Sequence, residues 1–565
     1  METEPQVLIL SVLQAGAGPS GLVLALILRR SGVRVRIIDK EPAHRPGSRG
    51  SGVQARTLEL YAQLGLYPQI AACGAEIPNI ALYKPGKENL TPQKEFRLTE
   101  RAEATPGMPY PNAINIPQDV HEAVLRGALV GLGCTVELGV ELTKFSQHSD
   151  GVRATLKHAD GTEEVAEATW LVGADGAHSV VRKGLGLSFL GETHEEQEML
   201  IGDIEVDGVS PGLWHMWADP PRTMVLRSAT PDSNLFMFAY VPGTPGAVQH
   251  AGPFTRDEFV ETFYEVTQRT DITFGKATWL SRYRPNMRMV DQMRAGRVFV
   301  AGDAAHCHSP AGGQGLNSSV QDAANLAWKL ALVINHHAPD ALLDTYAEER
   351  LRVIAQMLQL TTALYNSTFD ALRLKQQLDA DGTEDAPMGT DRNGAGLSML
   401  GVNYSGSSII AEDNDAGPAP AYAPGFAETG VRAAYRAPDA PGLVAVYPMR
   451  KETSLFEVFD VALHTVLLFG GAASKFSRLL QGLPVGTTQM VQILPASVDT
   501  APLKAEGVDI VLHDARGHAY AGYGVETGET VVVVVRPDGV VGMVQRGSAE
   551  EAVKGLTQYF AKIFG

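Results

Sequence analysis

The chain has 565 residues, 44% hydrophobic and 20% charged, which is a globular composition with room for about three or four domains. Lys and Arg number 47 against 64 Asp and Glu, and the net charge of −17 excludes the broad basic face that a nucleic-acid partner requires. Three cysteines, Cys73, Cys134 and Cys307, cannot build a disulfide framework and form no CxxC pair, which points to a reducing compartment.

Glycine is abundant, with 58 residues, or about one in ten against a usual ~7%. Either disorder or many tight backbone sites around a large ligand would explain the excess. Residues 1–6 carry two Glu and no basic side chain, the wrong charge for a signal peptide. The apolar run 22–28 is far shorter than the ~20 residues of a membrane helix. A cytoplasmic protein without membrane contact is expected.

In chain order, residues 1–190 read as the first part of an α/β domain. An apolar strand at 7–10 leads toward a glycine turn, a helix at 22–30 and a second strand at 33–39, which is a β-α-β unit. Residues 191–290 change character: short β-like segments at 198–206, 222–227 and 235–241 predict an inserted antiparallel sheet. Residues 291–376 return to α/β, with a strand at 297–301 and helices at 321–334 and 341–372. Residues 377–442 are rich in Gly, Ala, Asp, Ser and Pro without a period and predict a linker or surface excursion. Residues 443–565 are β/α again, with a buried strand at 531–535 and a final helix at 549–564.

Gly16, Gly18 and Gly21, with Pro19 and Ser20 between them, form GxGxxG ahead of a helix. The first glycine suits the tight turn, the second the approach of a pyrophosphate, and the third close helix–strand packing. Asp39, followed by Lys40, ends the second strand where a carboxylate would accept from ribose hydroxyls. One irregularity stands out. Five residues, 11–15, separate the apolar run 7–10 from Gly16, which means either a long strand or an insertion.

Two further segments extend the pattern. One is Asp175-Gly176-Ala177-His178-Ser179 with Val180, Val181 and Arg182. The other runs from Gly302-Asp303-Ala304-Ala305-His306 through Pro310, Gly312, Gly313, Gly315, Leu316 and Asn317 to Asp322. With GxGxxG, these resemble the three signatures of the single-component FAD-dependent aromatic hydroxylases, the class A flavoprotein monooxygenases. The likeness is to the phenol hydroxylase-like group, which carries a C-terminal thioredoxin-like domain. It implies a Rossmann-like FAD-binding domain of the glutathione-reductase type, an inserted antiparallel β-sheet substrate domain, and a thioredoxin-like domain at 443–565.

The resemblance also implies roles. FAD would be held by the glycine turn, by Asp39 and Lys40, and by Asp175, Gly302 and Asp303. The loop Pro310, Gly313, Gly315, Leu316 and Asn317 would meet the flavin edge, where a helix N-terminus favours negative charge. Arg49 and Ser51 would lie in a loop beside the isoalloxazine, with Arg49 facing the pyrophosphate or the flavin, and Gln118 would touch FAD. Asp175 and Arg182 would help bind NAD(P)H. Structural alternatives stay open: a solvated Arg49, a polar helix start at Gln118, an ion pair at Arg182. At position 51 a serine stands where phenol hydroxylase has an acid, which puts carboxylate activation of a phenol in doubt there.

The implied reaction consumes NADPH or NADH and O2. It inserts one oxygen atom into a phenol-like ring through a flavin C4a-hydroperoxide, by hydroxylation or by decarboxylative or ring-expanding variants. The Pro310 carbonyl, Arg227 and Tyr240 are the candidate catalytic groups, with Arg222, Trp214 and Trp217 as further candidates for the sheet wall. No metal site is assigned. Residues after Cys307 include no cysteine, so the thioredoxin-like region is left a structural or dimerisation role. A homo-oligomer, most simply a dimer, is expected. The alternatives are a flavin halogenase, whose Trp-x-Trp-x-Ile-Pro motif is not matched by Trp214-His215-Met216-Trp217, and a non-catalytic flavin-binding protein.

Overall fold

The computed structural model describes residues 10–193, 198–219, 222–242, 253–381, 396–411, 418–423, 430–471, 473–498 and 507–565. The first domain is built on an eight-stranded sheet. Six strands follow in the order Arg294–Ala295, Val298–Val300, Glu163–Gly173, Leu10–Ala15, Val35–Asp39 and Val136–Leu138, and two more branch from Glu163–Gly173, which pairs with Gly151–His158 and that in turn with Val140–His148. Leu10–Ala15 lies in the middle and pairs in parallel with both neighbours. Val12 and Leu13 are fully buried, as in a parallel strand covered on both faces by helices. Gln14 is also buried, and its Nε2 donates to the Gly16 carbonyl at 3.1 Å.

The irregularity before Gly16 resolves here. The strand is Leu10–Ala15 and runs straight into Gly16. The polar Ser11 and Gln14 disguised it, and 7–9 of the expected strand lie outside the described residues. Helix Pro19–Arg30 follows, with proline at its first position, where a missing N–H costs nothing. Its apolar residues 22–28 are all buried, and it packs against helix Gly315–Ile334.

The second sheet has seven strands in the order Thr273–Tyr283, Met199–Asp207, Leu235–Val241, Arg222–Ser228, Trp214–Asp219, Ile80–Tyr83 and Lys94–Phe96. Residues 191–290 therefore do not make it alone. Two strands come from the first block, and Ile80–Tyr83 pairs in parallel with Trp214–Asp219, so the sheet is mixed rather than antiparallel throughout. Helix Arg256–Thr267, begun by a capping box of Thr255 and Glu258, covers one face with Phe259 and Phe263.

Helix Asp344–Asp381 is longer than the expected 341–372. The stretch expected as a linker is not a surface excursion where it is described. Met399, Tyr404, Ile410, Tyr422 and Ala434 are buried in the core of the first domain. Tyr404 Oη also accepts from Arg350 at 3.2 Å. Small residues with no period pack here as irregular chain, so hydrophobic periodicity gave no sign of burial.

The last block holds a seven-stranded sheet in the order Lys451–Thr453, Leu443–Tyr447, Ile510–Asp514, Thr488–Pro495, His464–Phe469, Val531–Val535 and Val541–Arg546. His464–Phe469 runs parallel to Thr488–Pro495 and antiparallel to Val531–Val535. Helix Ala549–Phe564 closes the chain behind a capping box of Ser548 and Glu551. A buried ion pair, Arg536 with Glu349 at 2.6 Å, ties this block to the first domain, and another, Arg436 with Glu59 at 2.8 Å, anchors the stretch that precedes it.

Candidate active site

The parallel strands end level with one another. Ala15 lies opposite Gly173 and Ile38, and Gly173 lies opposite Val300. The turns that follow, at Gly16, Asp39, Asp175 and Asp303, therefore converge beyond the carboxyl ends of the strands, where open α/β sheets bind their ligands. A cavity of about 1710 Å³ opens there, and the seven-stranded mixed sheet forms its other wall.

Most residues assigned to a cofactor from sequence line this cavity: Gly16, Gly18, Pro19 and Ser20; Asp39, Lys40, Arg49 and Ser51; Gln118, Asp175 and Asp303; Pro310, Gly313, Gly315 and Leu316. Gly16 has φ +101°, and a Cβ there would come within 2.1 Å of the Ala174 carbonyl oxygen, so only glycine makes this turn. Asp39 accepts from the backbone N–H of Ala17 through Oδ2 and of Glu41 through Oδ1, both at 3.0 Å. Gln118 Oε1 accepts from the Gly50 N–H at 3.1 Å, while its Nε2 donates to Glu122 at 2.8 Å. Arg49 takes a left-handed φ of 36° and holds its guanidinium 5.0 Å from the Trp279 ring centre.

Helices Pro19–Arg30 and Gly315–Ile334 both begin at the cavity, and neither has a side-chain cap. Their first-turn N–H groups are available to an anion, and the helix dipoles favour one. Asp303 opens onto the cavity yet is ringed by protein. That burial raises its pKa, Asp322 adds to the rise, and His306 opposes it. Carboxylates at two strand ends and two uncapped helix N-termini make a donor and acceptor set that fits FAD. Asp39 and Asp303 would accept from hydroxyls, and the N–H groups would meet pyrophosphate and flavin oxygens.

Four assigned residues do not line the cavity. A Cβ on Gly21 would approach the Gly16 carbonyl oxygen to 2.2 Å, so Gly21 serves helix–strand packing. The Gly302 N–H donates to Asp322 Oδ2 at 3.1 Å. Asn317 is buried, and its Nδ2 donates to the carbonyls of Gly52 at 2.9 Å and Gly313 at 2.7 Å. It fastens two cavity loops to each other. Arg182 is turned inward: its guanidinium donates to the carbonyls of Ala304 at 3.0 Å and Ala177 at 2.8 Å and lies over Phe189. These bonds correct the expectation of a group presented to NAD(P)H. Asp175 does line the cavity, and its carboxylate also accepts from Ser179 Oγ and the Val180 N–H.

The sheet wall follows the two-residue period of strands. In Arg222–Ser228 the cavity receives Thr223, Val225 and Arg227, while Met224 and Leu226 join the core on the opposite face. In Leu235–Val241 it receives Met237, Ala239 and Val241. Tyr240 has the other parity. It is buried with Phe236 and Phe238 on the opposite face, so the expectation of a catalytic Tyr240 is corrected. Trp214 lines the cavity; Trp217 and Arg222 do not. Arg227 donates to Met237 Sδ at 2.8 Å and lies 5.1 Å from the Trp214 ring centre. Burial lowers its pKa, partly offset by Asp203.

Several cavity residues escaped the sequence reading, among them Met216, Trp279, Tyr283 and Tyr365. Parity within the strands could have found the first three. Tyr365 comes from the long helix Asp344–Asp381, which carries no motif. Near Pro310, Tyr283 Oη donates to the His308 carbonyl at 3.2 Å, and burial lowers the His308 pKa to about 4, so the imidazole is neutral at pH 7. Among the described residues there is no cluster of three or more His, Cys, Asp or Glu able to hold a metal, and no helix long and apolar enough to cross a membrane.

Comparison with known proteins agrees with this geometry. An FAD binding domain family matches residues 9–361, and the phenol hydroxylase C-terminal dimerisation domain matches residues 505–565. A flavin-dependent monooxygenase of Mycobacteroides abscessus is 34% identical over 562 residues, covering 98% of this chain and 100% of that protein. The 6-methylpretetramide 4-monooxygenase of Streptomyces rimosus is 39% identical over 358 residues, covering 63% of this chain and 61% of that one. Among solved structures, the anhydrotetracycline hydroxylase of Streptomyces rimosus aligns with TM-score 0.69 at 29% identity, covering 98% of this chain and 99% of that one. The likeness to monooxygenases does not favour the halogenase alternative. The chain belongs to the FAD-dependent aromatic monooxygenases, enzymes built on this FAD-binding domain.

Proposed function

We propose that the protein consumes NAD(P)H and O2 to place one oxygen atom on a phenol-like ring of a substrate larger than phenol itself. The carrying observation is the continuous cavity. At about 1710 Å³ it exceeds the roughly 300–1,000 Å³ that houses one ligand, so it has room for a cofactor and a substrate together. The relatives' names support a multi-ring substrate, 6-methylpretetramide and anhydrotetracycline among them.

FAD, when bound, would supply the activation of O2. The strand-end carboxylates and helix N-termini would bind and orient it. Trp214, Met216, Val225 and Met237 would flank the substrate and exclude water. Arg227 would favour the ionised form of a substrate oxygen, and the Pro310 carbonyl would orient its hydroxyl. Asp175, at the cavity edge, is the remaining candidate for an NAD(P)H contact.

We assign the last block a packing and dimerisation role. Its sheet contains a β-α-β unit followed by β-β-α with one antiparallel strand, which supports the thioredoxin-like reading. The match at 505–565 supports a dimer. Free Cys73, Cys134 and Cys307 suit a cytoplasmic site of action.

The test is direct. The purified protein should be yellow, should consume NADPH or NADH faster when a polycyclic phenol is added, and should transfer one labelled oxygen atom from dioxygen to the product. Colourless protein that cannot be reconstituted with FAD would overturn the reading.

A further inference from the structure

The turn 536–540 joins strands Val531–Val535 and Val541–Arg546 of the last block. Turns ordinarily face water, yet Arg536 is 1% exposed and Asp538 5%. The Arg536 guanidinium donates to Glu349 at 2.6 and 2.9 Å and to Asp538 at 3.1 Å. Asp538 accepts from Trp328 Nε1 at 3.3 Å through its carboxylate, and from Arg56 at 2.8 Å through its carbonyl. Lys329 donates to Glu349 at 2.7 Å. Gly539, with φ +71°, presses on Gln63, and a Cβ there would stand 2.4 Å from Nε2.

Each of these partners sits on a helix that leads to the cofactor cavity. Trp328 and Lys329 belong to Gly315–Ile334, whose first residues Gly315 and Leu316 line the cavity about 20 Å away along the helix axis. Arg56 and Gln63 belong to helix Ala55–Gln63. It follows Gln54, a cavity residue whose N–H donates to Asn317 at 2.8 Å. Glu349 belongs to Asp344–Asp381, which brings Leu364 and Tyr365 to the cavity. One turn of the last block thus holds three helices of the cofactor site from behind. Withdrawing it would strip Glu349 of its bidentate partner and Trp328 Nε1 of its acceptor. A partly docked turn is therefore costlier than a fully docked one.

We propose that Arg536 and Asp538 are positioning residues for FAD, acting through the three helices that the turn 536–540 clamps. Neither lines the cavity. Docking of the turn sets the helices at the spacing that FAD requires, so FAD binding must strengthen docking by the same factor. The inference goes beyond the reading of the last block as a packing and dimerisation unit, and it requires only that the chain binds FAD.

The test uses the full-length protein, stripped of FAD and titrated with it, while amide hydrogen exchange is followed with and without FAD. The Gly539 amide donates to the Arg536 carbonyl and the Val541 amide to the Tyr435 carbonyl. In the wild type FAD should slow the exchange of both by about tenfold, with strand Leu443–Tyr447 of the same sheet little changed. Arg536→Met and Asp538→Asn should each weaken FAD binding about tenfold and abolish that protection. Arg536→Lys, which keeps a cation in the turn, should recover part of both. Ile493→Val trims the middle of the same sheet and serves as the control for stability alone. It should lower the denaturation midpoint and leave FAD affinity within about twofold of wild type. Unchanged FAD affinity in both charge variants would overturn the proposal. An equal loss in Ile493→Val, or protection by FAD spread evenly over the sheet, would overturn it too. If Arg536→Met and Asp538→Asn fail to fold, the wild-type exchange pattern and Arg536→Lys decide.

Discussion

The cavity has two walls built on different logic. On the cofactor side, parallel strands present their ends, and the groups that matter lie in the turns just beyond: Gly16, Asp39, Asp175 and Asp303. On the substrate side, a sheet presents its face, and the groups that matter alternate along it: Thr223, Val225 and Arg227 on one strand, Met237, Ala239 and Val241 on the next. An end-on site is gathered from separate turns, each a short local motif that tolerates few residue types. A face-on site is scattered, and a one-residue slip would replace every member. The cofactor wall should therefore fail abruptly when altered, and the substrate wall should change selectivity while the fold persists.

The largest effect is expected at Gly16→Ala. The added Cβ meets backbone at 2.1 Å in a left-handed conformation, where nothing can rotate away. Strain of this kind costs roughly 1–3 kcal/mol or more. Loss of bound FAD together with a lower denaturation midpoint is the expected result; full flavin occupancy would show that the turn relaxes as a unit. Asp303→Asn should be milder. It keeps the shape but removes a charged acceptor worth about 1.5–3 kcal/mol, so FAD affinity after reconstitution should fall about ten- to a hundredfold, with the midpoint of the apoprotein little changed.

The contrast between the walls also explains what the sequence revealed. Gly16, Asp39, Asp175 and Asp303 were legible because backbone geometry and a strand-end carboxylate leave a spaced, local pattern. Arg182 and Asn317 lie within the same motifs, yet their donors go to Ala304, Ala177, Gly52 and Gly313. A motif marks a neighbourhood, and only the geometry tells which members face the ligand. The first strand was displaced in the reading because Gln14, a polar residue, is buried in mid-strand and satisfied by the Gly16 carbonyl. The described part of the stretch 377–442 departs from the reading for the opposite reason: Tyr404 and Tyr422 are buried by tertiary packing with no local period to announce it.

On the substrate wall, Arg227→Met should separate recognition from stability. In this structure the guanidinium meets a thioether and an indole, and among the described residues no carboxylate pairs with it directly. A cation held this way is costly to bury, so methionine should leave the fold as stable or more stable. Steady-state kinetics should nevertheless show KM rising about ten- to a hundredfold for a phenol that binds ionised, and little change for its methyl ether. Equal losses for both compounds would mean that Arg227 shapes the wall without recognising charge.

The smallest effect belongs to Tyr240→Phe, and it tests the parity argument most cleanly. Tyr240 and Arg227 stand on neighbouring strands of one sheet, and both were candidates from sequence. Only the alternation separates them, placing Tyr240 among Phe236, Phe238 and the helix that covers the far face. Phenylalanine keeps the ring that packs there and removes only an oxygen. The kcat/KM for any substrate should stay within about twofold of wild type, and stability within about 0.5 kcal/mol. A larger kinetic loss would require that strand to present its other face to the cavity. That slip would move Met237, Ala239 and Val241 out of the wall at the same time, so the single substitution tests the register of the whole strand.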